Sequence, residues 1–241
     1  MTTVPVDPVV SALALKLVGS AISKVVLTSV GLALAEFQEK KAERAVNALI
    51  AALAELEALT PEAAGVKLDA LLTTAVEGVR DPHEVVYETF RHFAFTRAEA
   101  AWPYIATMTA EYLAAKRPVD KFFRRMGWLL ERCEAEDIEV LRAAARATAE
   151  ELSKPRDFTH RLVTWNCLAA SAAIEVEVVD AEKGVLSSLM GDGGIGDGTA
   201  DGVRALLAES RLARPRGARK VAFLVGGDDR IIERIVTLLR T

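Results

Sequence analysis

The stretch that most constrains the fold is Val9–Ala35, because its twenty-seven residues contain only two charged side chains, Lys16 and Lys24. Removing so much apolar surface from water is strongly favourable, so the architecture has to cover it. The longest uncharged run, Val25–Ala35, has eleven residues, whereas a membrane-spanning helix needs about 20. A span would also place Lys24 near the bilayer centre, at a cost of about 2.5–3.5 kcal/mol. We therefore favour other forms of burial over a transmembrane span.

Polar residues recur at every fourth position of this stretch. They are Lys16, Ser20, Lys24 and Thr28. This spacing predicts an amphipathic helix, in which one stripe meets water or a polar partner and the remaining surface is buried. The cover is either the helical core of the same chain, another subunit, or a membrane surface. Burial in the core or at a subunit interface is the leading hypothesis, and membrane association through this helix is an alternative.

The sequence also predicts helices for the rest of the N-terminal two-thirds of the chain. Half of the residues are hydrophobic but only 6% are aromatic, and the abundant alanine favours packed helices over a β-sandwich. Helix start and stop signals punctuate the periodic segments. They are Thr60-Pro61, Asp81-Pro82, Pro118 and Lys154-Pro155. Ten of the fourteen aromatic residues lie between Tyr87 and Trp128, which marks a well-packed core. We predict a helical domain over residues 1–154.

For residues 155–241 the sequence predicts a small portion that contains both helices and strands. Ile174–Val178 alternates strictly between apolar and polar residues, which predicts a half-exposed strand, and Val221–Val225 predicts a short buried one. Helices are predicted from Thr199 to about Leu212 and over the last apolar segment, and the apolar positions from Phe158 to Ala172 fit one face of another helix. Gly191–Gly202 is expected to be a loop, because it is rich in glycine. The predicted fold class is thus mainly α, a multi-helix array with a small α/β C-terminal portion.

The order of elements around residue 160 is also similar to a winged-helix module. Two helices, over about Glu134–Leu152 and Phe158–Ala172, precede a strand and a glycine-rich turn. In such a module the second helix enters a DNA groove and the turn forms the wing. The residues on that helix are His160, Arg161, Thr164 and Asn166. They include few cations, and the predicted wing is acidic.

A second interpretation of the C-terminal portion is a βαβα unit, since strand, helix, strand and helix follow one another. Ligands of open α/β sheets bind beyond the C-terminal ends of the strands. The candidate ligand turn would then combine Asp180, Gly226, Gly227, Asp228 and Asp229. The turn amides would hold an anion, or the aspartates a metal ion. A simpler alternative is a tight turn at the glycines, with Asp228 capping the last helix.

Charge is distributed unevenly over the C-terminal third. Residues 173–199 contain six acids and one lysine, whereas residues 200–241 contain nine basic residues and five acids. Five basic residues crowd into ten positions. They are Arg211, Arg214, Arg216, Arg219 and Lys220. Such a cluster predicts contact with an anion or with nucleic acid, unless it pairs with the acidic stretch before it or is simply solvated.

No catalytic constellation emerges from the sequence. The chain has no phosphate-binding loop, nucleophile elbow or zinc-protease motif, and Cys133 and Cys167 are too isolated for a zinc site or a disulfide framework. We expect no catalytic residues, no metal and no cofactor, and a cytoplasmic location. The leading hypothesis is a non-enzymatic helical binding or assembly protein, acting as a homo-oligomer or with a protein partner. The alternatives are a nucleic-acid-binding regulator and a membrane-associated effector.

Overall fold

The computed structural model describes residues 35–76, 80–155, 161–167, 174–180, 199–216, 220–226 and 230–240. The apolar stretch before Ala35 and most of the glycine-rich segment before Thr199 lie outside these ranges. The described residues form eight α-helices, one short 3-10 helix and one four-stranded antiparallel sheet. This confirms a mainly α fold with a small α/β portion. The chain divides into two compact units.

The first unit is an array of four helices, to which the described residues up to Thr96 and Trp102–Asp120 contribute. The helices are α1 (Ala35–Glu57), α2 (Pro61–Val76), α3 (Arg80–Phe95) and α4 (Trp102–Ala114). Ala58 adopts a left-handed conformation at φ 51°, which ends α1. The Thr60 hydroxyl then accepts the Ala63 N–H at 3.3 Å, so the predicted start signal does begin α2.

The core of this unit lies where α1 packs against α4 and α3. Leu49 and Ile50 of α1 are buried, as is Ile105 of α4. Aromatic residues pack in this unit as well: the rings of Phe93 and Trp102 meet edge to face with centroids 5.2 Å apart. The buried residues of these four helices therefore form an apolar core.

The second unit combines the remaining helices with the sheet. Its helical elements are a 3-10 helix (Glu99–Ala101), α5 (Lys121–Arg132), α6 (Ala135–Ser153), α7 (Thr199–Glu209) and α8 (Ile231–Leu239). Its strands are β1 (Arg161–Cys167), β2 (Ile174–Asp180), β3 (Arg214–Arg216) and β4 (Lys220–Leu224), in the spatial order β2-β1-β4-β3. Because α5 and α6 belong to this unit, the predicted boundary near Pro155 falls inside it.

The helix predicted from Phe158 to Ala172 is wrong over Arg161–Cys167, which forms the inner strand β1. A short apolar run fits a helix face and a buried strand equally well, so periodicity does not separate the two. Its β-branched and aromatic residues, Val163, Thr164 and Trp165, pack well on a pleated surface. Without a helix at this position there is no recognition helix, and the winged-helix interpretation is wrong as well.

The helix that begins at Thr199 is shorter than predicted. It ends at Glu209 because Arg211 turns into a left-handed conformation at φ 59°. The Arg214–Arg216 segment, which follows the predicted end of this helix near Leu212, is the edge strand β3. An edge strand tolerates proline because one side of it makes no ladder hydrogen bonds. None of the helices formed by the described residues is long and apolar enough to cross a membrane.

Candidate binding surface

One face of the sheet belongs to the core of the second unit. Trp165 of β1 is fully buried, and its ring meets that of Phe223 on β4 with centroids 5.0 Å apart. The Trp165 Nε1–H donates to the Thr148 hydroxyl on α6 at 2.9 Å, which places α6 on this face. Helices α7 and α8 pack beside α6. The opposite face of the sheet is called the outer face below.

Strand register places charged residues of opposite sign at the two sides of the outer face. Residues directly opposite each other in antiparallel strands share a face. One row across the sheet is therefore Glu177, Thr164, Ala222 and Arg214, and the next is Glu175, Asn166, Lys220 and Arg216. Each row begins with an acid on β2 and ends with an arginine on β3. The outer face thus runs from an acidic side to a basic side.

These opposite charges are too far apart to neutralise one another within the sheet. Strands lie about 4.8 Å apart, so β2 and β3 are separated by about 14 Å, more than the Debye length of about 10 Å at 0.1 M salt. Glu175, Glu177, Arg214 and Lys220 are all exposed. Between the two sides, Leu224 is 51% exposed, whereas Leu162, Thr164 and Ala222 of the same face are buried. The exposed acids and cations therefore lie at the two sides of a face whose middle is buried.

Three of the five residues in the predicted basic cluster belong to the basic side of the outer face. Arg214 and Lys220 are exposed, and register places Arg216 in the same row as Lys220. Arg211 precedes the sheet, where its carbonyl accepts a hydrogen bond from Arg125 Nη1 of α5 at 3.0 Å. Arg219 lies outside the described residues.

The candidate ligand turn requires the C-terminal ends of two strands to lie at the same end of the sheet. Strands β2 and β4 are separated by β1 and are antiparallel to it. They consequently point the same way, so Asp180 and Gly226 lie at the same end of the sheet, about two strand spacings or 10 Å apart. Gly227, Asp228 and Asp229 lie outside the described residues. The N-cap position of α8 is Arg230.

The Gly226 amide already has an internal acceptor. Its N–H donates to Glu233 Oε1 of α8 at 2.7 Å, so a carboxylate of the chain occupies the position that an anion would take at this amide. Gly226 itself has φ 72°, a left-handed conformation that glycine adopts without strain. The sequence spacing of seven residues gave no signal for this contact, and Glu233 was not among the predicted site residues.

Within the described part of the chain, the groups that nucleophilic or metal chemistry would use are not gathered at a site. Among the described residues, no cluster of three or more His, Cys, Asp or Glu residues is arranged to hold a metal ion. His92 is buried within the first unit. Cys133 is also buried, and burial, followed by the charges of Asp137 and Glu134, raises the pKa of its thiol to about 12.

We expect Cys133 to be inert in the folded protein. A thiol with a pKa of about 12 is almost wholly protonated at neutral pH, and only the thiolate is a good nucleophile. In a Cys167→Ser background, which leaves one thiol, a chromogenic disulfide reagent should react at least about 100-fold more slowly with the native protein than with the urea-unfolded protein. Comparable rates in the two states would contradict this.

The residues that sequence reasoning missed are those on the acidic side. Glu175 and Glu177 were recognised only as the polar half of a strand, because their position relative to the basic cluster depends on strand order. Asn166 was assigned to a helix, yet its Nδ2 lies 3.4 Å from Glu175 Oε2 on the neighbouring strand. Strict alternation in β2 was the one available signal.

Comparisons of the chain with protein-family models, with curated proteins and with solved structures found no match.

Proposed function

We propose that this protein is a non-enzymatic helical binding protein that acts by assembling with further copies of itself or with a protein partner. The observation that carries the proposal is the apolar surface that the helices of the first unit leave exposed. Of the five large hydrophobic residues that are exposed in the described part of the chain, four belong to the first unit. They are Leu56, Val66, Tyr87 and Phe95. Scattered exposed side chains are ordinary, but the chain also contains the apolar stretch Val9–Ala35, whose surface needs cover.

The apolar stretch Val9–Ala35 supports self-association because its apolar surface needs cover that a second copy can supply. The sequence predicts an amphipathic helix for this stretch, with a polar stripe from Lys16 to Thr28 and an apolar face beside it. An amphipathic helix is stabilised when its apolar face packs against another subunit, as in helix-in-groove and bundle interfaces. The apolar surface buried at this contact would contribute about 25 cal/mol per Å² to the free energy of association.

The charge pattern of the sheet favours this proposal over nucleic-acid binding. A polyanion is attracted by a continuous basic surface, whereas Glu175 and Glu177 share the outer face with Arg214 and Lys220. A duplex lying across that face would meet carboxylates within about 14 Å of the arginines. The basic side is therefore a poor footprint for DNA and a good half of a complementary protein contact.

Light scattering of the full chain over a wide dilution series tests the proposal. We expect a mass that is a multiple of the chain mass and that falls on dilution. Leu17→Glu, on the apolar face of the predicted helix, should lower the association constant by at least about tenfold, because it buries a charge at the contact. Ser20→Glu is the matched control, since it adds the same carboxylate within the polar stripe and should have little effect.

Other results would replace the proposal. A monomer at every concentration, with no protein partner, contradicts it. If that monomer floats with anionic liposomes, membrane association through the N-terminal helix takes its place. If it binds duplex DNA with an affinity that falls steeply with salt, the nucleic-acid alternative takes its place.

A further inference from the structure

We infer that the exposed side of α2 is the surface on which the stretch Val9–Ala35 of a second copy docks. This inference rests on the proposed self-association and names the surface that receives the stretch. Helix α2 packs against α1 and α3, and Ala64 and Leu68 of α2 are buried. The opposite side of α2 faces away from the core of the first unit, so it is the side that a partner can reach.

The exposed side of α2 carries an aliphatic stripe. Ala63, Val66 and Ala70 are three and four residues apart, a spacing that places them on one face of the helix, and all three are exposed. Val66 is 64% exposed, the largest exposed fraction among the large hydrophobic residues in the described part of the chain. The alanines on either side of it are small, so a second helix can approach α2 closely.

Two carboxylates border this stripe. Glu62 stands four residues before Val66 and Asp69 three residues after it, so both lie next to Val66 on the helix surface. Both acids are exposed, and they lie about 10 Å apart along the helix. Neither forms an ion pair in the described part of the chain. The exposed side of α2 is therefore aliphatic with an acidic border.

The stretch Val9–Ala35 is complementary to this surface in polarity and in charge. Its only charged residues are Lys16 and Lys24, which lie about 12 Å apart on a helix and so match the spacing of the two carboxylates. Beside them runs the predicted apolar face, which includes Leu17. Docking therefore covers the aliphatic stripe with apolar side chains and places one lysine at each carboxylate. Two copies related by a two-fold axis form this contact twice, since each supplies one stretch and one α2.

Charge reversal on either side of the contact tests the inference. The first variant, Lys16→Glu with Lys24→Glu, has an acidic stretch, and the second, Glu62→Lys with Asp69→Lys, has a basic α2. Each variant alone should associate at least about tenfold more weakly than the wild type, because like charges then meet at both pairs. An equimolar mixture should recover association as a heterodimer. In that heterodimer the acidic stretch meets the basic α2, and the unchanged stretch meets the unchanged α2.

The control variant reverses two exposed acids on helices of the second unit, Glu150→Lys with Glu209→Lys, and should associate like the wild type. Association should be measured by sedimentation equilibrium of the full chain at low and high salt. High salt should narrow the difference between each reversed variant and the wild type. Ser20→Glu should be far milder than the double reversal, because its carboxylate lies one turn from Lys16 and from Lys24 and pairs with them on their own helix.

Two outcomes would overturn the inference while leaving the proposed function in place. If the wild type associates and both reversed variants associate equally well, α2 is not the docking surface. If each variant is weakened but their mixture does not recover, the stretch of one copy does not meet α2 of another. Recovery in the mixture would support the inference and would also demonstrate that both variants are folded. A wild type that is monomeric at all concentrations removes the proposed function and this inference together.

Discussion

Replacing Trp165 by alanine should lower the free energy of unfolding of the second unit by about 3–5 kcal/mol, the range for large-to-small aromatic changes in a core. The indole is fully buried, stacks edge to face on Phe223 and donates its only hydrogen bond to Thr148. Since Trp165 links the sheet to α6, which also packs against β2, the substitution leaves a cavity between the two layers and removes one contact of several. Urea unfolding followed by circular dichroism, with hydrogen exchange of the α6 amides as a local probe, measures the effect.

Two further variants divide this effect into its parts. Thr148→Val keeps the volume of the side chain but leaves the buried indole N–H without its acceptor, at an expected cost of about 1–3 kcal/mol. Asn166→Ala, one residue along the same strand on the outer face, should change stability by no more than about 0.5 kcal/mol. If Asn166→Ala cost as much as Trp165→Ala, the assignment of core and outer faces would be wrong.

Replacing Ile105 by alanine should destabilise the first unit by about 2–5 kcal/mol. Ile105 is 0% exposed in α4, the helix that packs on α1, and truncation leaves a cavity that the surrounding helices fill only partly. Because the chain has two units, a single global transition is not assumed. Native-state hydrogen exchange of the α1 and α4 amides reads the effect in the first unit itself.

Val66→Ala is the matched control for Ile105→Ala. Val66 is also aliphatic and helical, but it is 64% exposed, so its truncation should change the stability of the dilute protein by less than about 0.5 kcal/mol. Equal losses from the two substitutions would contradict the assigned core. A loss at Val66 that appears only at high protein concentration would instead identify Val66 as a subunit contact.

Much of the fold could be predicted from the sequence. The starts of α2 and α5, the end of α6 near Pro155 and the strand β2 follow from local signals, because proline, capping hydroxyls and strict alternation act within a few residues. Helix periodicity over the first unit was equally local. The failures lie at β1 and β3, where a short apolar run and an arginine–proline tripeptide have no distinctive pattern. Which conformation such a segment adopts is decided by the strand beside it.

The candidate binding surface, too, could be predicted from the sequence only in part. By itself the sequence determined that the chain is mainly helical, that its N-terminal stretch is apolar with a polar stripe, and that basic residues cluster between Arg211 and Lys220. Only the tertiary structure decided that Glu175 and Glu177 share a face with Arg214 and lie about 14 Å from it. Sequence separation does not fix strand order or register, since both are set by long-range pairing and by the burial of Trp165 against α6. A charge pattern across a sheet therefore exists only after the chain has folded.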